Sequence, residues 1–199
     1  NIAVEDGFRG FSDNEYVARD VVPPGAVTLT SGGAITSTQS APVLTGSRAV
    51  LQAANSIELD TAVRSLEAAV TAAGDLIVSN TGDLTAAAVT AYQGNISLYA
   101  SGALELAQVA FGTDLMDNAL FSSNAAGDMT VGRIDAGAVN GTATLISAGA
   151  ILQSPDDVGT DLTAKEFLAL PADQGDPSLF DLDYAGTRLG HDLINFFYV

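Results

Sequence analysis

Gly74-Asp75-Leu76-Ile77-Val78-Ser79-Asn80-Thr81-Gly82-Asp83-Leu84 decides the fold, because it returns 20 residues later as Gly94-Asn95-Ile96-Ser97-Leu98-Tyr99-Ala100-Ser101-Gly102-Ala103-Leu104. Each copy places two glycines eight residues apart, and Leu84, Ala87 and Val89 then fall on Leu104, Ala107 and Val109. The glycine pair recurs as Gly25/Gly33 and Gly141/Gly149. These two units share a longer string, Thr28-Leu29, Ser31 and Gly33-Ala34-Ile35 against Thr144-Leu145, Ser147 and Gly149-Ala150-Ile151. A polar, proline-containing excursion follows each, over 36–42 and 152–159, and after each comes Leu-Thr, at Leu44-Thr45 and Leu162-Thr163. A short period near 20 residues thus sits inside a longer one near 116,.

Within each unit the apolar residues alternate, Ile96 with Leu98, Leu104 with Leu106, Val27 with Leu29. Period-two alternation marks strands with one buried face. Glycine at a fixed offset supplies an unusual backbone angle or room for a close approach at a bend. Short strands joined by such turns cannot bury their apolar faces as an isolated unit, but stacked coils share one continuous core. The expected fold is all-β, a right-handed parallel β-helix with coils of about 20 residues. It spans residues 25–170, with an N-terminal cap or linker over 1–24 and a C-terminal cap or assembly strand over 171–199. A helical solenoid is the competitor, because 62–73 is rich in Ala, Leu and Glu. Gly74, Gly82, Gly94 and Gly102 cut any helix every eight to twelve residues, so at most one short helix or an outward loop is expected near Val63 to Ala73.

Composition bounds the partners. With 7 Lys+Arg against 24 Asp+Glu the net charge is −17, which repels nucleic acid and anionic membrane surfaces and leaves basic surfaces and divalent cations,. No apolar run approaches the roughly 20 residues of a membrane helix. The absence of cysteine removes disulfides and thiol chemistry from this chain,. Asn1 to Asp20 lacks the basic start of a signal peptide, and the missing initiator Met is read as the mark of a processed chain or an excised fragment,.

Runs such as Val27-Thr28-Leu29-Thr30-Ser31-Gly32-Gly33-Ala34-Ile35, the Gly94–Leu104 unit and Thr144-Leu145-Ile146-Ser147-Ala148-Gly149-Ala150-Ile151 resemble the repeats of filamentous-haemagglutinin-type adhesins. They are equally similar to those of the very large β-strand-repeat exoproteins of Gram-negative bacteria. The resemblance implies export to the bacterial cell surface and a structural or adhesive role, in attachment or extracellular matrix. The implied partners are other protein chains, cell-surface or carbohydrate ligands, or further copies of the chain. A second reading is a filament or surface-layer subunit joined through its terminal strands; Leu193, Ile194, Phe196, Phe197 and Tyr198 are the apolar candidates,.

Catalysis is not expected. A polysaccharide-degrading β-helix enzyme needs carboxylates facing each other across a groove. Asp156, Asp157 and His191 faintly fit that need, but the acids follow Pro155 in a turn and His191 lies outside the repeats. No cofactor is expected. Calcium is the one metal with candidate ligands, Asp156, Asp157 and Asp161 in one cluster and Asp173, Asp176, Asp181 and Asp183 in another,. Neither has EF-hand spacing, and solvated acidic loops account for both. Asn95 and Asn140 head glycosylation sequons; Asn140-Gly141 reads as a turn,.

Overall fold

Ile35, Ile57, Leu76, Ile96, Phe121, Ala143 and Phe167 stand one above another in parallel register, each fully shielded from solvent. They form one spine of a parallel β-helix in the computed structural model, which describes residues 2–3, 8–9, 25–37, 42–112, 120–155, 159–173 and 176–189. A second spine, Val27, Ala49, Leu66, Ala86, Leu106, Val131 and Gln153, runs beside it in the same sense. Together they make about six turns of roughly 22 residues. Coils from Ile57 to Leu76 and from Leu76 to Ile96 take 19 and 20 residues, as the repeat predicts. Later coils take 22 to 25, and the ladder between Met129–Ser147 and Leu162–Leu170 absorbs register shifts between Asp135 and Gly137 and between Gly137 and Thr142.

Alternation produces this core directly. In the strand Leu76–Asn80, residues 76, 78 and 80 point inward; in Ile96–Ala100, residues 96, 98 and 100 do. Large and small side chains compensate along each spine. Ala143 lies between Phe121 and Phe167, and Ala86 between Leu66 and Leu106, so every layer fills the same cross-section,. Each coil alone exposes its apolar row; only the stack removes it from water.

Three expectations need correction. Residues 63–73 are neither helix nor loop but part of the strand Ile57–Ala73, with Val63, Leu66, Ala68 and Val70 inward. Helix propensity is worth tenths of a kcal/mol per residue, and burial between the coils above and below outweighs it. The period near 116 is not a structural repeat: Leu29 stacks under Leu51 on the second spine's strand, whereas Leu145 stacks with Ser123 on the first. What the two strings share is a corner. Ser31 Oγ accepts the Gly33 N–H at 3.1 Å and donates to the Ala34 carbonyl at 3.2 Å. Ser147 Oγ does the same with Gly149 and Ala150, both at 3.0 Å. Asn140-Gly141 is not a turn; it lies within the strand Met129–Ser147, where the register shifts between Gly137 and Thr142.

The parallel ladder also runs past the boundary expected at Leu170. Phe180–Asp181 pairs with Ile151–Gln153, and Tyr184–Leu189 pairs with Leu162–Leu170. At the other end Ile2–Ala3 and Phe8–Arg9 pair with Ile35–Thr36 and with Leu44-Thr45.

Candidate functional site

The acids that precede core strands make the most regular polar feature. Asp75, Asp83, Asp128 and Asp161 sit directly before Leu76, Leu84, Met129 and Leu162. Each carboxylate accepts the backbone N–H of the equivalent residue one coil on. Asp75 Oδ1 takes the Asn95 N–H at 2.8 Å, Asp83 Oδ1 that of Ala103 at 2.9 Å, Asp128 Oδ1 that of Ala150 at 2.9 Å and Asp161 Oδ2 that of Asp183 at 2.8 Å. The carbonyl of that same donor residue in turn receives the N–H that follows the Asp: Leu76 to Asn95 at 2.8 Å, Leu84 to Ala103 at 2.9 Å, Met129 to Ala150 at 2.8 Å, Leu162 to Asp183 at 3.1 Å. Two bonds running in opposite directions therefore bracket successive coils.

Glycines make room for three of the four brackets, those of Asp75, Asp83 and Asp128. A Cβ at Gly102 would lie 2.2 Å from Asp83 Oδ1, and one at Gly149 would lie 2.1 Å from Asp128 Oδ1. The pairs Gly74/Gly82, Gly94/Gly102 and Gly141/Gly149 flank the first spine's strands, whereas Gly25/Gly33 flanks Ala26–Ser31 on the second. Sequence reasoning assigned glycine to the corners but not the carboxylate lodged against it. The signal was present for three of the four brackets: an acid before a core residue, and a glycine 19 or 21 positions later just ahead of the bracketed residue; at Asp161 that later position is Leu182.

A shallow lateral groove of about 740 Å³ crosses four coils at this corner, lined among others by Arg64, Asp83, Thr85, Glu105, Asp128 and Thr130. Its acids are already engaged. Asp83 and Asp128 hold backbone N–H groups, and Glu105 Oε2 accepts the Thr85 hydroxyl at 2.8 Å. Chemically the groove offers hydroxyls, carboxylates and one guanidinium at its edge, a surface suited to hydrogen-bonding a polar ligand.

The calcium candidates divide. Asp161 is fully buried and joined to Asp183 through the coil bracket, which gives its carboxylate a structural use. Asp181 and Asp183 are exposed, and Asp173 is exposed on a corner. Asp176 accepts the Ser178 hydroxyl at 2.7 Å and the Ser178 N–H at 2.9 Å, which hold its carboxyl below the ordinary value of 3.8. Asp156, Asp157 and His191 lie outside the described residues, as do Leu193, Ile194, Phe196, Phe197 and Tyr198. Among the described residues no group of three or more His, Asp or Glu side chains is placed to hold a metal ion.

One lateral face differs from the rest. Beyond the row at the strand starts, where Thr142 pairs with Glu166, the outward residues of the first spine's strands form two rows: Ile77, Ser97, Ser122, Thr144 and Leu168, and Ser79, Tyr99, Asn124, Ile146 and Leu170. Neither row holds a charge over these five coils, although Glu58 and Asp60 precede them in the coil before. The second spine's outer surface instead carries the Arg48–Glu67 ion pair at 2.5 Å, Glu105, and Arg133 with Asp135 at 4.0 Å.

The chain matches no protein-family model, and comparison with curated proteins and with solved structures gives no match either.

Proposed function

We propose that this chain is a structural and adhesive rod, a segment of a secreted bacterial surface protein that acts through its length and its lateral surfaces. The observation that carries this reading is the coil bracket. Four carboxylates bind backbone N–H groups of the next coil, above a core that continues through every turn. Carboxylates used this way stiffen a stack. The remaining acidity, on a molecule of net charge −17, gives a soluble rod attracted to basic protein surfaces,. The resemblance of the repeats to exported adhesins supports the surface location.

Removal of residues 76–95, one coil, tests the reading. Ile57 then takes Ile96 as its neighbour and the ladder closes. Saturable binding of the intact chain to immobilised extracellular-matrix proteins or cell-surface glycans, retained by the shortened chain, is the expected result. Turnover of a polysaccharide by the intact chain, lost in the folded shortened chain and in Glu105→Gln, would replace the rod with an enzyme acting in the groove.

A further inference from the structure

We infer that the Asp176–Pro177 peptide bond is a self-cleavage site, at which the Asp176 side chain cuts the chain and frees the strands that cover its C-terminal edge. The sequence holds this dipeptide once. Proline makes the bond a tertiary amide without an N–H, and its nitrogen takes a proton more readily than that of an ordinary peptide. An aspartate carboxylate can close a ring onto its own main-chain carbonyl carbon, and a group held that near reacts far faster than one from solution.

The turn Pro177–Leu179 holds the reacting groups. The Ser178 hydroxyl at 2.7 Å and the Ser178 N–H at 2.9 Å both donate to Asp176 Oδ1. The side chain therefore lies alongside the scissile bond, reaching from residue 176 past Pro177 to residue 178. Oδ2 has no partner among the described residues and is the nucleophile,. The scissile carbonyl oxygen accepts the Leu179 N–H at 3.2 Å, a donor already in place for the charge this oxygen gains on attack,. Asp176 and Ser178 are exposed, so water reaches the site. The same Ser178 bonds hold the carboxyl below its ordinary value and keep it ionised in mild acid, where proton transfer to the leaving nitrogen is easiest,. Asp173, whose carbonyl accepts the Asp176 N–H at 3.4 Å, and Asp181, on the strand packed against the turn, are its titratable neighbours. Among the described residues no cation pairs with Asp176.

In the first step Oδ2 bonds to the Asp176 carbonyl carbon. The bond from that carbon to the Pro177 nitrogen breaks, and the nitrogen keeps the electron pair and takes a proton from water. The cyclic anhydride left on Asp176 is then opened by water, which restores the side-chain carboxylate and leaves a new C-terminal carboxylate. One water is consumed for one peptide bond. Residues 177–199 then stay only through non-covalent contacts: Phe180–Asp181 on Ile151–Gln153, Tyr184–Leu189 on Leu162–Leu170, and the Phe167–Tyr184 ring contact at 4.7 Å. Their departure bares two strand edges to another chain. The cleavage holds whatever the rod binds.

Intact-mass spectrometry of the full chain, incubated for days at the lowest pH at which circular dichroism reports the native fold, tests it. The expected result is two fragments, 1–176 and 177–199, formed at a rate independent of protein concentration and at least tenfold faster than in 8 M urea at the same pH. Asp176→Asn and Pro177→Ala, shown to be folded, abolish the cleavage. The rate rises as pH falls and levels off once the carboxyl protonates; Ser178→Ala, which only positions the carboxylate, makes it level off at a higher pH. A folded chain that cleaves no faster than the unfolded one would overturn the inference. So would cleavage that survives in folded Asp176→Asn, or a pH profile that Ser178→Ala leaves in place.

Discussion

Asp83 and Ala103 are joined by two hydrogen bonds of opposite sense: Asp83 Oδ1 accepts the Ala103 N–H at 2.9 Å, and the Ala103 carbonyl accepts the N–H of Leu84 at 2.9 Å. The backbone bond belongs to the ladder and any residue at 83 would keep it. The carboxylate bond is specific to the side chain. Asp83→Ala is therefore expected to cost about 1 kcal/mol, the net worth of one such bond. Asp83→Asn, which keeps an acceptor oxygen, should cost less. Urea unfolding of both variants reads the difference, and equal losses would show that the bracket contributes nothing to stability.

Gly102→Ala presses a Cβ to 2.2 Å from Asp83 Oδ1 and 2.9 Å from the Asp83 nitrogen. The oxygen can swing aside, but only by releasing the Ala103 N–H. A loss of about 1–3 kcal/mol is expected for such overpacking. Part of it should vanish on an Asp83→Ala background, because the oxygen is gone and only the backbone contact remains. A double-mutant cycle measures this coupling. Strict additivity would mean that glycine is required here for its backbone alone.

The glycine spacing and the alternation of Ile96 with Leu98 made the coil legible, since both are local and each recurs. The phase of the coil was not. Ser31 and Ser147 build the same hydrogen-bonded corner on different sides of the stack, because the corner uses four consecutive residues while the side is decided by strands about 20 residues away. Val63 to Ala73 offered Ala, Leu and Glu, which serve a helix as well as a strand; Leu66 is a strand residue because Ala49 and Ala86 lie against it. The role of Asp75, Asp83 and Asp128 was hidden for the same reason. Their partners are a whole coil distant, and an acid beside a turn glycine reads locally as solvated.

Asn80 is 1% exposed and closes the corner after Leu76–Asn80. Its Oδ1 accepts the Thr61 hydroxyl and the Val63 N–H, each at 2.9 Å. Its Nδ2 donates to the carbonyls of Thr81, Gly82 and Asp83 at 3.2 to 3.4 Å. Asn80→Asp replaces that donor with an oxygen facing carbonyl oxygens, at an expected cost of about 3 kcal/mol or more at neutral pH. Burial raises the new carboxyl's folded pKa above its unfolded value, so the folded state binds the extra proton. The deficit therefore shrinks as pH falls through that folded pKa and is largest above it. Chemical unfolding at pH 4 and pH 7 checks this; a deficit independent of pH would count against it.

Ser178 holds the Asp176 carboxyl below its ordinary value through two hydrogen bonds. A depressed folded pKa contributes stability above the unfolded value, and that contribution is lost as pH falls through the folded one. Ser178→Ala removes the hydroxyl bond, the larger cause, and the Asp176 carboxyl should titrate back toward 3.8. NMR titration of the side-chain carboxyl reads this directly. An unmoved titration curve would show that the backbone N–H alone sets it.

Phe121, Ala143 and Phe167 are consecutive, fully buried members of one spine, a small residue between two rings. The layers must sum to one cross-section, so the two directions of change should both fail and should compensate when combined. Phe121→Ala leaves a cavity beside a residue already small, at an expected cost of about 3–5 kcal/mol. Ala143→Leu overfills the layer between the rings, at about 1–3 kcal/mol. In the double variant the leucine enters the space that the Phe121 ring vacated, and the loss should be smaller than the sum of the two. Thermal and urea unfolding of the three proteins decide the matter. A double variant that loses the full sum would mean that each coil packs only within its own layer and that the spine transmits no fit from one coil to the next.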